Sequence, residues 1–382
     1  MSGYNTGIEN DGFPSESPTP HDALPMGLLM AEKYRVKLVD SIQAALCYDA
    51  ETDEVGTELA VDGILAIGEH GNYPINDKGQ RMYPRRYFFE QICGVLANSP
   101  KRHACPIFTD KHLAVTWDDA LFIYNRGKEL GLTHMAGSSV PVCFWRDPWL
   151  EHPIGTPLEE ALVLSYGDLE AYGYHGLEAL QAMIERRPGG EAGISSVQCL
   201  EGDQIWAAAA EGRWLRELGE SAMAVVDLVN PGATNSAPEA VPEVVPPLEV
   251  ACGDGAALFL IEFADGFRAS LLHCQGEGNC VAGWAYAARV TGQAEPVRCS
   301  YNGNEAPNYP PFSYLSLNIE RMFLTGDSPY PVERTLLVTG ALDVLMDSKH
   351  QGNVKIATPQ LEIAYPSPTT EPIRPTNPRP KV

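Results

Sequence analysis

The chain has 382 residues, 44% of them hydrophobic and 20% charged, which is enough apolar material for globular cores and, by length, about two domains. Asp and Glu number 50 against 27 Lys and Arg, a formal net charge of −23 that opposes association with phosphate backbones or anionic membrane surfaces. No stretch reaches the ~18 consecutive apolar residues of a membrane span, and the first 20 residues have neither a basic start nor an apolar run, so the expectation is a cytoplasmic protein without nucleic-acid or membrane partners.

Residues 1–25 are rich in Gly, Ser, Pro and Asn without any period and read as an irregular lead-in. Residues 26–33 and 41–46 then carry helical patterns, and 61–67 is a short apolar strand ending in Gly-Glu-His-Gly. A helix over 84–98 with Pro84 near its first turn, a strand at 104–108, a helix at 118–130 and a strand at 133–136 follow. Strands alternating with helices imply a parallel sheet.

Beyond residue 158 the pattern changes. Strands are expected at 161–165, 194–200, 258–263, 267–273, 281–291 and 296–301, with a hairpin at Ala264-Asp265-Gly266 and helices at 176–186, 312–324 and 332–349. A Pro-rich excursion interrupts them at 230–247. The expected architecture is an incomplete Rossmann-like parallel-sheet domain (26–158), then a mainly antiparallel open-sheet α+β domain with helices on one face (159–365). A Pro-rich tail, 366–382, is read as disordered or extended. The nine cysteines are scattered, odd in number and free of C-x-x-C pairs, which indicates buried thiols rather than disulfides or a four-cysteine zinc site.

Several pieces resemble the glucose–fructose oxidoreductase/inositol dehydrogenase (Gfo/Idh/MocA) family over roughly residues 26–365. They are Ala60-Val61-Asp62-Gly63-Ile64-Leu65-Ala66-Ile67; Phe108-Thr109-Asp110-Lys111-His112, at the position of the family's Glu-Lys-Pro; residues 169–178, similar to its L-D-x-G-x-H-x-x-D helix start; and the closing pattern over 319–348. The resemblance implies a dinucleotide-binding domain joined to a large antiparallel sheet, a nicotinamide cofactor, a sugar-like substrate, and association through that sheet as a homodimer or homotetramer. It puts the family's lysine at Lys111 and its histidine at His175. The aspartate four residues before that histidine is Ala171 here, with Glu170 beside it. The G-x-G-x-x-G that brings backbone against a pyrophosphate occurs nowhere in the chain, and residues 1–24 hold no apolar run to serve as the first strand.

Ligands of open parallel sheets sit beyond the carboxyl ends of the strands. Those ends are expected to offer Glu69 and His70; Asp110, Lys111 and His112; and Ser138 and Ser139. The second domain adds Tyr172, His175, Glu178 and Arg186. Two chemistries use these groups. In one, Lys111 binds a substrate oxygen while His175, aided by His112 or Glu170, moves a proton. In the other, Glu69, His70, Asp110, His112, His175 and Glu178 supply ligands for a divalent ion such as zinc or manganese. Ser138, Ser139, Tyr172 and Arg186 are the candidate substrate contacts.

The preferred expectation is therefore a lyase, isomerase or hydrolase acting on a small polyhydroxylated or keto substrate by acid–base or metal-assisted chemistry, without standard NAD(P) binding. The alternatives are an NAD(P)-dependent oxidoreductase of sugar-like hydroxyls whose N-terminus is missing or wrongly assigned or whose first strand comes from elsewhere, and a non-catalytic scaffold subunit.

Overall fold

The structure, a computed structural model, describes residues 2–4, 28–29, 31–68, 73–230, 245–302 and 310–374. Their contacts group the chain into two units, one built from 1–76, 80–136 and 321–327, the other from 77–79, 137–320 and 328–382. The change of unit falls at Gly137, earlier than the expected 158, because the strand Trp145–Asp147 joins the large second sheet by pairing with 300–302.

In the first unit, β1 (Ser2–Tyr4) runs parallel to β2 (Lys37–Val39). A short strand thus lies within residues 1–24, where the sequence has no apolar run. Three residues are too few to show alternation, and pairing with β2 rather than apolar content makes the strand. After β2 comes α1 (Ile42–Leu46), whose Ser41 Oγ accepts the Ala44 N–H at 3.0 Å. A short antiparallel pair, β3 (Tyr48–Asp49) and β4 (Glu54–Val55), leads to β5 (Ile64–Ala66).

β5, β6 (Ile107–Asp110) and β7 (His134–Gly137) form a three-stranded sheet in that order, with β5 parallel to β6. Two helices connect them. α2 (Arg85–Leu96) buries Phe89, Ile92, Cys93 and Leu96. α3 (Trp117–Glu129) opens with Thr116 Oγ1 accepting the Asp119 N–H, and the acidic pair Asp118 and Asp119 in its first turn opposes the positive end of the helix dipole. Arg85 donates to the Asp110 carbonyl at 2.7 Å and so fixes the carboxyl end of β6, after which Lys111 and His112 are both buried.

The second unit opens with the single turn α4 (Val140–Cys143) and is built on an eight-stranded sheet. Its strands are β8 (Trp145–Asp147), β9 (Leu158–Tyr166), β10 (Ile194–Glu201), β11 (Ala257–Phe263), β12 (Arg268–Cys274), β13 (Trp284–Val290), β14 (Val297–Asn302) and β15 (Ile356–Ala357). The spatial order is β15-β10-β11-β12-β9-β13-β14-β8, antiparallel throughout except for the parallel pair β12–β9. The expected hairpin joins β11 to β12, with Gly266 in the left-handed region at φ +85°.

Four helices cover this sheet: α5 (Ala171–Ile184), α6 (Asp203–Ala210), α7 (Arg216–Met223) and the long α10 (Val332–His350). A single turn, α8 (Leu248–Ala251), precedes β11, and α9 (Pro310–Thr325) precedes α10. α5 approaches β9 and β12 so closely that a Cβ at Gly176 would lie 2.5 Å from Leu271 Cδ1 and 3.0 Å from Ser165 Cβ. The far end of α5 is tied to α10 by a buried ion pair, Glu185 with Arg334, and Tyr365 Oη also donates to Glu185 at 2.9 Å.

All nine cysteines are free and buried. Burial pushes the thiols of Cys93 and Cys105 up to about 11, so they remain unreactive thiols at neutral pH. The part of the Pro-rich tail that is described, up to Arg374, is tied down rather than free. Ile373 N–H donates to Asn318 Oδ1 at 2.8 Å, and Arg374 pairs with Glu151. The remainder, 375–382, and the interruption at 231–244 lie outside the described residues. Among the described residues no helix is long and apolar enough to cross a membrane.

Two buried histidines give the fold a pH dependence. Burial lowers both His152, whose Nε2 lies 3.0 Å from Tyr286 Oη, and His273, whose Nε2 lies 2.9 Å from the Gly167 carbonyl, to about 4. Because the unfolded chain takes up these protons near 6.5, stability should fall as pH drops from about 6.5 to about 4, by up to roughly 1.4 kcal/mol per pH unit for each histidine. Urea unfolding at several pH values checks this, and His273→Gln should flatten the slope over that window.

Candidate active site

The groups best placed for chemistry in the second unit gather where the chain leaves β7 and where α5 begins. Asp168 Oδ1 accepts the Ala171 N–H at 2.9 Å and starts the helix, whose register then puts His175 and Glu178 on one face. Both reach Ser138. His175 Nδ1 lies 3.0 Å from Ser138 Oγ, and that same oxygen donates to Glu178 Oε2 at 2.5 Å. The Ser138 N–H is shared by the two carboxylate oxygens, at 3.1 and 3.0 Å.

Glu178 is fully buried, so its charge rests on these donors. The approach is possible because residue 137 is glycine. It sits at φ +125°, and a Cβ there would come within 2.2 Å of Glu178 Oε1. Tyr330 Oη is close to the same point and has no hydrogen-bond partner among the described residues. Burial, reinforced by the charge of Glu178, raises its pKa well above the usual phenol value, so the hydroxyl stays neutral.

One side of His175 is walled by aromatic rings. Trp284 meets it edge-on at 5.5 Å, Tyr172 at 5.9 Å, and Tyr172 stacks on Trp284 with 12° between the planes at 5.6 Å. Trp284 Nε1 is buried without a partner among the described residues. Tyr172 is 37% exposed and is the open member of this wall.

The other candidates fall in different places. Ser139 is buried and its carbonyl accepts the Cys143 N–H, so it builds the turn. Glu170 is buried at the start of α5, one position outside the His175–Glu178 face. Arg186 donates to the His152 carbonyl and pairs with Glu151 at 3.3 Å, an internal role. In the first unit Asp110 ends β6, and Lys111 and His112 follow it. Glu69 and His70 lie outside the described residues. Among the described residues no three His, Cys, Asp or Glu side chains are grouped to hold a metal ion. Sequence reasoning missed Trp284 and Tyr330. Each lies more than 100 residues beyond His175, and only the Gly-Trp step at the start of β13 marked the first.

No protein-family model matches the chain, and no curated protein matches it. Among solved structures, GenD2 from gentamicin A biosynthesis, in complex with NAD, matches at 13% identity with a TM-score of 0.51, covering 87% of this chain and 86% of that one. The chain has the two-domain Gfo/Idh/MocA fold. Apo scyllo-inositol dehydrogenase from Lactobacillus casei (11% identity, TM-score 0.49, 87% of each chain) and the UDP-N-acetylglucosamine 3-dehydrogenase GnnA from Acidithiobacillus ferrooxidans (10%, 0.44, 87% and 89%) also match.

Two expectations are corrected by this comparison. A lyase, isomerase or hydrolase that does without NAD(P) gives way to the alternative, because the solved structure sharing this fold carries NAD. The zinc or manganese expectation is set aside with it, since the comparison points to a nicotinamide cofactor and the proposed ligands do not form a group among the described residues.

The Glu178 cluster makes a local prediction. Gly137→Ala adds backbone strain and a clash with the carboxylate, and should cost at least about 2 kcal/mol in urea unfolding, while Gly155→Ala, at φ +86° with open space around it, should cost about 1 kcal/mol.

Proposed function

We propose that the chain is an NAD(P)-dependent oxidoreductase acting on a small hydroxylated, sugar-like substrate. The observation that carries this is the fold shared over most of the chain with a structure solved with NAD. The first unit offers such a cofactor a parallel pair, β1 and β2, and the carboxyl ends of the parallel strands β5 and β6. It does not offer the usual glycine fingerprint, and residues 5–27, which follow β1, lie outside the described residues. The grip on the diphosphate in this reading therefore differs from the G-x-G-x-x-G pattern.

A nicotinamide supplies the hydride acceptor or donor when bound. The protein's own part is then to hold the substrate oxygen and exchange its proton. His175 suits the second task, because imidazole changes charge near neutral pH and its orientation is set by Ser138. Lys111, at the lysine position of the resemblance, is assigned to hydrogen-bonding a substrate oxygen. Tyr172, exposed beside His175, is the proposed substrate contact, and the association through the large sheet suggested by the resemblance completes the reading.

Titration of the protein with NAD+ and with NADP+ tests the proposal. One of them should bind with measurable heat and, at about 100 times its Kd, stabilise the fold by about 2.7 kcal/mol. Absence of both heat and stabilisation with either nucleotide would overturn it.

A further inference from the structure

We infer that Ser138 is a positioning residue that links the buried carboxylate of Glu178 to the ring of His175 and fixes which imidazole nitrogen carries the proton. Ser138 Oγ has a single hydrogen, and at 2.5 Å from Glu178 Oε2 that hydrogen points to the carboxylate. Both oxygens of that carboxylate also accept the Ser138 N–H, at 3.1 and 3.0 Å.

The hydroxyl can therefore only accept from His175, 3.0 Å away, so the proton of the neutral imidazole sits on Nδ1. It accepts from the Val140 N–H as well, at 3.3 Å. The lone pair is thereby placed on Nε2, the nitrogen that takes up or gives a proton. When Nε2 is protonated, the imidazolium faces a carboxylate one hydroxyl away, while the Ser138 proton stays on oxygen throughout. Burial makes the arrangement strong. Glu178 is fully buried and Ser138 nearly so, and charge-assisted hydrogen bonds gain strength where water is excluded. Gly137 permits the carboxylate to come this close to the backbone.

The catalytic meaning of the inference rests on His175 being the proton carrier; the tautomer itself does not. Nitrogen-15 NMR of the histidine rings, at about pH 8 where an ordinary imidazole is neutral, reads the tautomer directly, with His175→Gln assigning the signal. The wild type should show Nδ1–H and Ser138→Ala should switch the ring to Nε2–H, the form favoured in water. An Nε2–H ring in the wild type would overturn the inference, as would an unchanged ring in Ser138→Ala; if that variant does not fold, the wild-type ring decides alone. Nicotinamide titration of the wild type stands apart from this readout. A protein that shows Nδ1–H yet binds no nucleotide would refute the proposed function and leave the positioning role of Ser138 in place.

Discussion

A carboxylate removed from water has to be met by donors, and the fully buried Glu178 imposes that requirement on everything around it. Among its donors are the N–H and hydroxyl of Ser138. The chain must therefore bring the end of β7 against the second turn of α5, and only a glycine at 137 leaves room for it. His175 is then oriented as a consequence of satisfying Glu178. Burial, reinforced by the same charge, keeps the neighbouring Tyr330 hydroxyl neutral.

The large sheet holds α5 in place from below. β9 lies between β12 and β13, and a Cβ at position 176 would meet Leu271 Cδ1 at 2.5 Å and Ser165 Cβ at 3.0 Å, so the helix packs closely on the side chains of β12 and β9. Trp284, at the start of β13, stands beside His175 for the same reason, because β13 is the direct neighbour of β9. At the other end of α5, the Glu185–Arg334 pair and the Tyr365 hydroxyl lock the helix to α10. A helix held at both ends is a suitable carrier for a group that must keep its angle during proton transfer.

Much of this was legible in the sequence. The β11–β12 hairpin announced itself by Asp265-Gly266 between apolar runs, since local chemistry decides such an element, and the helices α3 and α10 were readable as well. The His175–Glu178 spacing and the placement of Ser138 at a strand end were also readable. The pieces that escaped are those fixed by distant partners. β1 is a strand because β2 lies beside it, and β8 is one because β14 does. α6 and α7 are short, and neither Gly202 nor Leu215 caps its helix with a side chain. Tyr330 and Trp284 reach the cluster only after long stretches of intervening chain, and sequence spacing carries no record of that. The reaction class went astray for a related reason. A missing glycine fingerprint argued against a nicotinamide cofactor, whereas the fold as a whole is shared with a structure that holds NAD.

The central claim is that Glu178 and Ser138 act as one unit. A double-mutant cycle of Ser138→Ala and Glu178→Gln, followed by urea unfolding, measures it most directly. The account predicts a coupling of about 1–3 kcal/mol, with the second substitution costing much less once the first is made. Additivity of the two within about 0.5 kcal/mol would contradict it.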